Sequence, residues 1–314
     1  MNKMRETNNN NMTHQANSKL NIQHSKSNLP PIVLFVYNRL WHTRQTVEAL
    51  QKNELASETE LFIFSDGPKD EKAIAKVKKV REYIKTIDGF KKIAIIEREK
   101  NWGLANNIID GVTNVINKYG KIIVLEDDLV SSPYFLKFMN EALEFYKDEK
   151  KVWHISGWNY PIETKGIGDV FFWRVMNCWG WATWADRWKY YERNVDKIIK
   201  EFSEIDIKKF NLDGTVNFWE QVILNKEKKI NTWAIFWYAT IFKHNGLCLN
   251  PSQSFVKNIG LDGSGTHCGK DCSFSNDVSM NKDISFSVNI KENNTAVQRI
   301  KQFYNSRKKN HFLQ

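Results

Sequence analysis

No stretch of the 314 residues approaches the roughly 20 consecutive apolar side chains of a membrane-spanning helix, and the chain opens on a polar segment with no apolar signal region. A cytoplasmic protein is therefore expected, its membrane contact limited to the inner, anionic face. Cysteine is scarce too. Cys178, Cys248, Cys268 and Cys272 do not make a secreted disulfide framework, and Cys268-x-x-x-Cys272 beside His267 lacks a second ligand pair at zinc spacing. Reduced thiols are expected. No internal repeat shortens the problem, so the chain has to be taken as one large unit.

What is present suits that unit. A hydrophobic content of 41% over this length can bury a full core and make one large α/β domain with appendages. Tryptophan is abundant, at twelve residues, and it concentrates in the second half. The clustering suggests a deep aromatic-lined cleft there as well as core. Lys and Arg exceed Asp and Glu to leave a formal charge of +10 and a pI near 9.2, a balance that suits polyanions, anionic membranes or nucleotide phosphates.

Residues 1–29 offer almost nothing to bury and are expected to be a disordered tail. From residue 30 the pattern is regular. Buried strands at Ile32 to Val36, Leu61 to Phe64, Lys92 to Ile96 and Lys121 to Leu125 each lead into a loop and then into a helix-spaced apolar stripe. One such stripe is Ile74, Val77, Val80, Ile84 and Ile87, and another is Leu104, Ile108, Val112 and Ile116, stopped by Gly120. Four units of this kind imply right-handed crossovers and a mostly parallel sheet, its strand ends opening on one crevice. Short strands at Val152 to Ile155 and Val170 to Trp173 follow and suggest a smaller, mixed sheet. The domain is expected to span 30–270, and 271–314 to be a polar, basic extension with a surface helix over 297–311.

The chemistry concentrates at Lys121-Ile-Ile-Val-Leu-Glu-Asp-Asp-Leu129, where four branched apolar residues run into three carboxylates. Continuous branched residues suit a central parallel strand, whose carboxyl end faces ligands. Adjacent like charges repel when partly desolvated, and a divalent cation with a phosphate ligand relieves them. An acidic helix cap is the plainer alternative, but Ser131, Ser132 and Pro133 already start the next helix.

The ordered segments Phe35-Val-Tyr-Asn-Arg39, Ser65-Asp-Gly67, Asn101-Trp-Gly-Leu104, Val124-Leu-Glu-Asp-Asp128, Cys178-Trp-Gly-Trp-Ala-Thr-Trp184 and Asn258-Ile-Gly260 through His267 resemble the inverting nucleotide-sugar glycosyltransferases of the GT-A fold. The bacterial family-two group is the resemblance over Pro31 to His267, and Glu-Asp-Asp is similar to N-acetylglucosaminyltransferase I. The resemblance implies a Rossmann-like sheet and Mn2+ or Mg2+ on Asp128, with His267 on the metal or diphosphate. It implies that Glu126 and Asp127 reach ribose and sugar hydroxyls, that Asp66 accepts from the uracil edge, and that Tyr37, Asn38, Arg39, Asn101 and Gly103 shape the donor site. Glu220 resembles the general base, although the family generally has Asp there; Asp186 and Asp213 are alternatives, and Trp181 and Trp184 are candidates for the acceptor side. The partners implied are a nucleoside diphosphate sugar and a glycan or lipid-linked glycan acceptor at the cell surface.

Two other readings remain. A sugar nucleotidyltransferase shares such a sheet but wants a Gly-rich phosphate loop after the first strand, and Tyr37-Asn-Arg-Leu-Trp41 has no glycine. A nucleic-acid-binding protein would explain the positive charge and the aromatics, yet would hardly set three acids at the mouth of its main crevice.

Overall fold

The computed structural model describes residues 29–264, 272–275 and 277–311. In chain order the first half gives β1 (Ile32–Val36), α1 (Leu40–Gln51), β2 (Glu60–Ser65), α2 (Glu71–Ile84), β3 (Lys92–Glu97), α3 (Leu104–Tyr119) and β4 (Lys121–Glu126). These four strands are parallel and lie in the order β3-β2-β1-β4. The expected alternation is therefore present, and its cause is visible in the burial of every residue of β1 and of the four central residues of β4. Asp70 caps α2 by accepting from the Ala73 N–H at 3.0 Å. Gly120 ends α3 at φ +78°, its N–H bonded to the Ile116 carbonyl at 2.7 Å.

The second half adds β5 (Leu129–Ser131), α4 (Phe135–Phe145), β6 (Val152–Ser156), β7 (Val170–Trp173), β8 (Trp181–Trp184), α5 (Ala185–Trp188), α6 (Val195–Glu201) and α7 (Glu204–Phe210). Then come α8 (Trp219–Lys226), α9 (Ala234–Lys243), β9 (Leu247–Pro251), β10 (Val256–Asn258) and α10 (Asn294–His311). The mixed strands do not form a sheet of their own. β8 runs antiparallel along the free edge of β4 and joins everything into eight strands, β3-β2-β1-β4-β8-β6-β9-β7. Among the described residues only β5 and β10 pair apart from it, antiparallel, with Leu129 opposite Asn258.

Three expectations change. The stripe on α2 is turned by about one residue, because Ala73 is buried while Ile74 is 52% exposed. Most of the tryptophans are core rather than cleft, since nine of the twelve are at most 9% exposed and all of these but Trp184 pack ring against ring. Trp181 stacks between His154 and Trp233, and the Trp184 indole donates to the Leu143 carbonyl, which puts both in the core. Finally, α10 is no surface appendage. It buries Ala296, Val297 and Ile300, and the Tyr304 hydroxyl meets that of Tyr160 at 2.8 Å. The chain before it bonds edge strand β7 through the Asn293 N–H and the Phe172 carbonyl at 2.8 Å.

Candidate active site

The register of β1 and β4 places Phe35 beside Glu126, so the residues that follow each strand leave the sheet together. Arg39 stands at the entrance to α1, and its Nη2 donates to Asp127 Oδ1 and, at 2.7 Å, to Asp128 Oδ2. One guanidinium nitrogen thus bridges two neighbouring carboxylates. Burial alone would lower the Arg39 pKa, but Asp127 and Asp128 outweigh it and hold the guanidinium above its ordinary value. Its Nη1 is buried and has no hydrogen-bond partner among the described residues.

The acids respond to the same crowding. Burial raises the Glu126 carboxyl, and repulsion from Asp128 and Asp127 adds to it. Burial also raises Asp127, against the pull of Arg39. Backbone groups fix the pair from both sides. Thr46 Oγ1 on α1 donates to the Asp127 carbonyl at 2.9 Å, and the Ile259 N–H donates to the Asp128 carbonyl at 2.9 Å. Gly260 then passes so close that a β-carbon there would lie 2.1 Å from Asp128 Oδ2. Only glycine allows this approach.

Beside the acids, the ends of β2 and β3 are organised around Asp66, which is 5% exposed. Its Oδ1 accepts from the Gly67 and Trp102 N–H groups at 2.9 and 2.8 Å; its Oδ2 accepts from the Gly103 N–H at 3.0 Å and the Asn101 amide at 3.1 Å. Four donors fill the acceptor capacity of a carboxylate. Contact with a uracil edge, as the resemblance implied, therefore has no lone pair left to use, and Asp66 instead builds the floor of the crevice. Gly103 enters α3 at φ +73°, which suits glycine. Asn101 also donates to the Gly67 carbonyl at 2.8 Å, so Asn101 and Gly103 share this floor.

Of the remaining candidates, Tyr37 is half-buried and its hydroxyl accepts from the Lys69 N–H at 3.1 Å; Asn38 is half-buried beside it. Glu220 is exposed in the first turn of α8, with no hydrogen bond or ion pair among the described residues. Asp186 and Asp213 are engaged, the first by Lys150 and Arg187, the second by Arg174 and Lys301. Burial alone would raise both carboxyls, but the ion pairs prevail and hold both below the ordinary range. They are surface struts. His267 lies outside the described residues.

Sequence reasoning missed three contributors. His42, one helical turn beyond Arg39, is buried and meets Asp262 of the glycine-rich segment at 3.1 Å. Arg81 on α2 ties the strand ends together, donating to the Arg98 carbonyl at 2.6 Å and the Asp66 carbonyl at 3.3 Å. Arg98 in turn lies over the Trp102 ring at 3.9 Å and pairs with Asp110. Neither their spacing nor their neighbours in the chain marked these residues.

The donor set fits a divalent cation. Two hard oxygens converge on one point, the position that Arg39 Nη2 occupies, and such ions complete their shell with phosphate oxygens and water. Among the described residues no three His, Cys, Asp or Glu side chains group to hold a metal by themselves, so ligand oxygens would be needed.

Comparison with known proteins gives a family and two distant folds. The sequence profile described as GNT-I family matches residues 1–194. No curated protein matches the chain. Among solved structures, S. aureus TarS is similar at 14% identity and a TM-score of 0.30, over 42% of this chain and 22% of that one. The chain thus covers about a fifth of TarS. The mannosyltransferase PcManGT from Pyrobaculum calidifontis, solved in complex with GDP-Man and Mn2+, is similar at 9% identity and a TM-score of 0.39, over 70% of each chain.

Proposed function

The chain belongs to the GNT-I family and is a glycosyltransferase, and from that premise we propose a metal-dependent, inverting enzyme that moves a sugar from a UDP-linked donor to a cell-surface glycan or lipid-linked glycan. The observation that carries this reading is the convergence of Asp127 and Asp128 on one cationic point at the end of β4. In open parallel sheets that edge receives nucleotides.

One common phosphate seat is already taken. A helix N-terminus often receives phosphate in such sheets, but at α3 the Gly103 and Trp102 N–H groups are spent on Asp66. The reading therefore assigns phosphate charge to Arg39 and to a cation on Asp127 and Asp128. When bound, Mn2+ or Mg2+ supplies Lewis-acid neutralisation of the charge that grows on the diphosphate. Arg39 donates to the same oxygens through a planar fork suited to phosphate. Glu126 and Asp127 receive ribose and sugar hydroxyls, while the floor of Asp66, Asn101 and Gly103, with Tyr37 and Asn38, holds the nucleoside. Glu220 takes the proton of the acceptor hydroxyl as that oxygen attacks the anomeric carbon from the face opposite the diphosphate. Asp186 and Asp213 are neutralised by cations, which favours Glu220 for the base. His267 contributes to the metal or the diphosphate.

Thermal shift with UDP, with and without Mn2+, tests the reading. Stabilisation by UDP that requires the metal, and that Asp128→Asn abolishes, is the expected result. Salt-sensitive oligonucleotide binding without any metal-dependent UDP effect would overturn it.

A further inference from the structure

Arg39 holds the acidic pair in a way that a permanent strut would not. An arginine built in for stability satisfies its five N–H groups, because a buried unpaired donor is costly. Here Nη2 serves both Asp127 and Asp128, whereas Nη1 is buried without a partner among the described residues. That nitrogen faces the backbone of Gly260, where an added β-carbon would lie 3.0 Å from it. Gly260 thus lies against both Arg39 and Asp128, with no room for a side chain of its own. A single cation can occupy the point between the two oxygens, since a second positive charge at hydrogen-bond range would be repelled strongly. The side chain of Arg39 keeps 18% of its surface exposed.

We propose that Arg39 is the resting counter-ion of Asp127 and Asp128 and that it changes partners, from these carboxylates to the diphosphate of the donor, when a divalent cation takes its place. This rests on the transferase reading above. The exchange makes metal and donor cooperative. The cation alone must expel Arg39, whereas the cation arriving with a diphosphate gives Arg39 a new acceptor and gives Nη1 the partner it lacks.

The test is Mn2+ titration followed by electron paramagnetic resonance, with and without UDP, on the wild type, Arg39→Met and Arg39→Lys. Removing the competitor should tighten Mn2+ binding to nucleotide-free Arg39→Met, and removing the phosphate partner should weaken UDP binding at saturating Mn2+. Each change should fall in the roughly 5- to 150-fold range of coupled sites. Arg39→Lys should lie between the wild type and Arg39→Met in both. A purely structural arginine would weaken both affinities or neither, and either outcome overturns the proposal. In the unaltered protein, Mg2+ added without nucleotide should shift the Arg39 Nε–H nuclear magnetic resonance signal; a signal that stays put also overturns it. A wild type that binds neither Mn2+ nor UDP removes the transferase reading, whereas metal-dependent UDP binding with Mn2+ affinity unmoved in Arg39→Met removes this proposal alone.

Discussion

The two halves of the eight-stranded sheet spend their residues differently. Along β3-β2-β1-β4, charged groups gather at the strand ends, and loops and helices hold them in place through Asp66, Arg81, Thr46 and Gly260. Along β8-β6-β9-β7, most polar groups are internal and paired, the Trp158 indole N–H and the Asn177 amide nitrogen being exceptions among the described residues. The buried His154 donates from Nε2 to the Asn177 carbonyl and accepts at Nδ1 from the Trp237 indole, which fixes its neutral tautomer. Burial lowers its pKa to about 4, so it stays uncharged at neutral pH. Arg187 donates to the carbonyls of Lys147 and Glu149 at 2.8 and 3.2 Å while lying 4.4 Å over the Trp184 ring. One half leaves charged groups at its strand ends, and the other packs its rings into an aromatic wall.

The sharpest way to break this comparison is at the acceptor side. Glu220→Gln should keep Mn2+-dependent UDP affinity and lose about 10²- to 10⁴-fold in turnover, as loss of a general base does. Unchanged turnover would remove Glu220 from the role. In the wall, Trp237→Ala should cost about 3–5 kcal/mol of stability by leaving a cavity and an unpaired His154 nitrogen. Chemical denaturation measures it, and UDP affinity of the folded fraction should not move. A wall residue whose loss abolished UDP binding would show that the halves are not separate in function.

An effect of similar size is expected at the loop floor. Asp66→Ala strips three backbone N–H groups of their acceptor, at about 1–3 kcal/mol for each donor left buried and unpaired, and UDP affinity should fall with the loss of order. Melting curves and UDP titration on one preparation would separate the two. The smallest concerns pH. Glu126 and Asp127 bind their protons more tightly folded than unfolded, so the stability they contribute is fully present at low pH. It declines as pH rises from about 4, the ordinary carboxylate range, through neutrality. Cation binding should release protons over the same window, which calorimetry in buffers of different ionisation enthalpy would detect. Absence of proton release would contradict the raised carboxyls.

Most of the parallel half was legible in the sequence because each of its signals is local: a branched run, a turn at Ser65-Asp-Gly-Pro68, an apolar stripe, a glycine cap. The acidic triplet stood out for the same reason. What escaped depends on residues far apart in the chain. β5 and β10 are three residues each and carry no alternation, and they exist only by pairing across about 127 positions. Nothing in Trp181-Ala-Thr-Trp184 tells that it runs antiparallel to β4, since its edge contacts are backbone. Likewise His42 became a site residue through Asp262, and the saturation of Asp66 emerged only when Trp102 and Gly103 were brought beside it. The tryptophans misled because ring count alone does not separate wall from cleft.

The pairing of β5 with β10, continued by Ile259 onto Asp128, fastens the acidic pair to chain made about 130 residues later. During synthesis the parallel strands can therefore assemble while the pair still lacks its outer clasp, and a ribosome must travel past Gly260 before the centre is mechanically complete. A truncation between β4 and β10 would keep the acids and lose the backbone that steadies them.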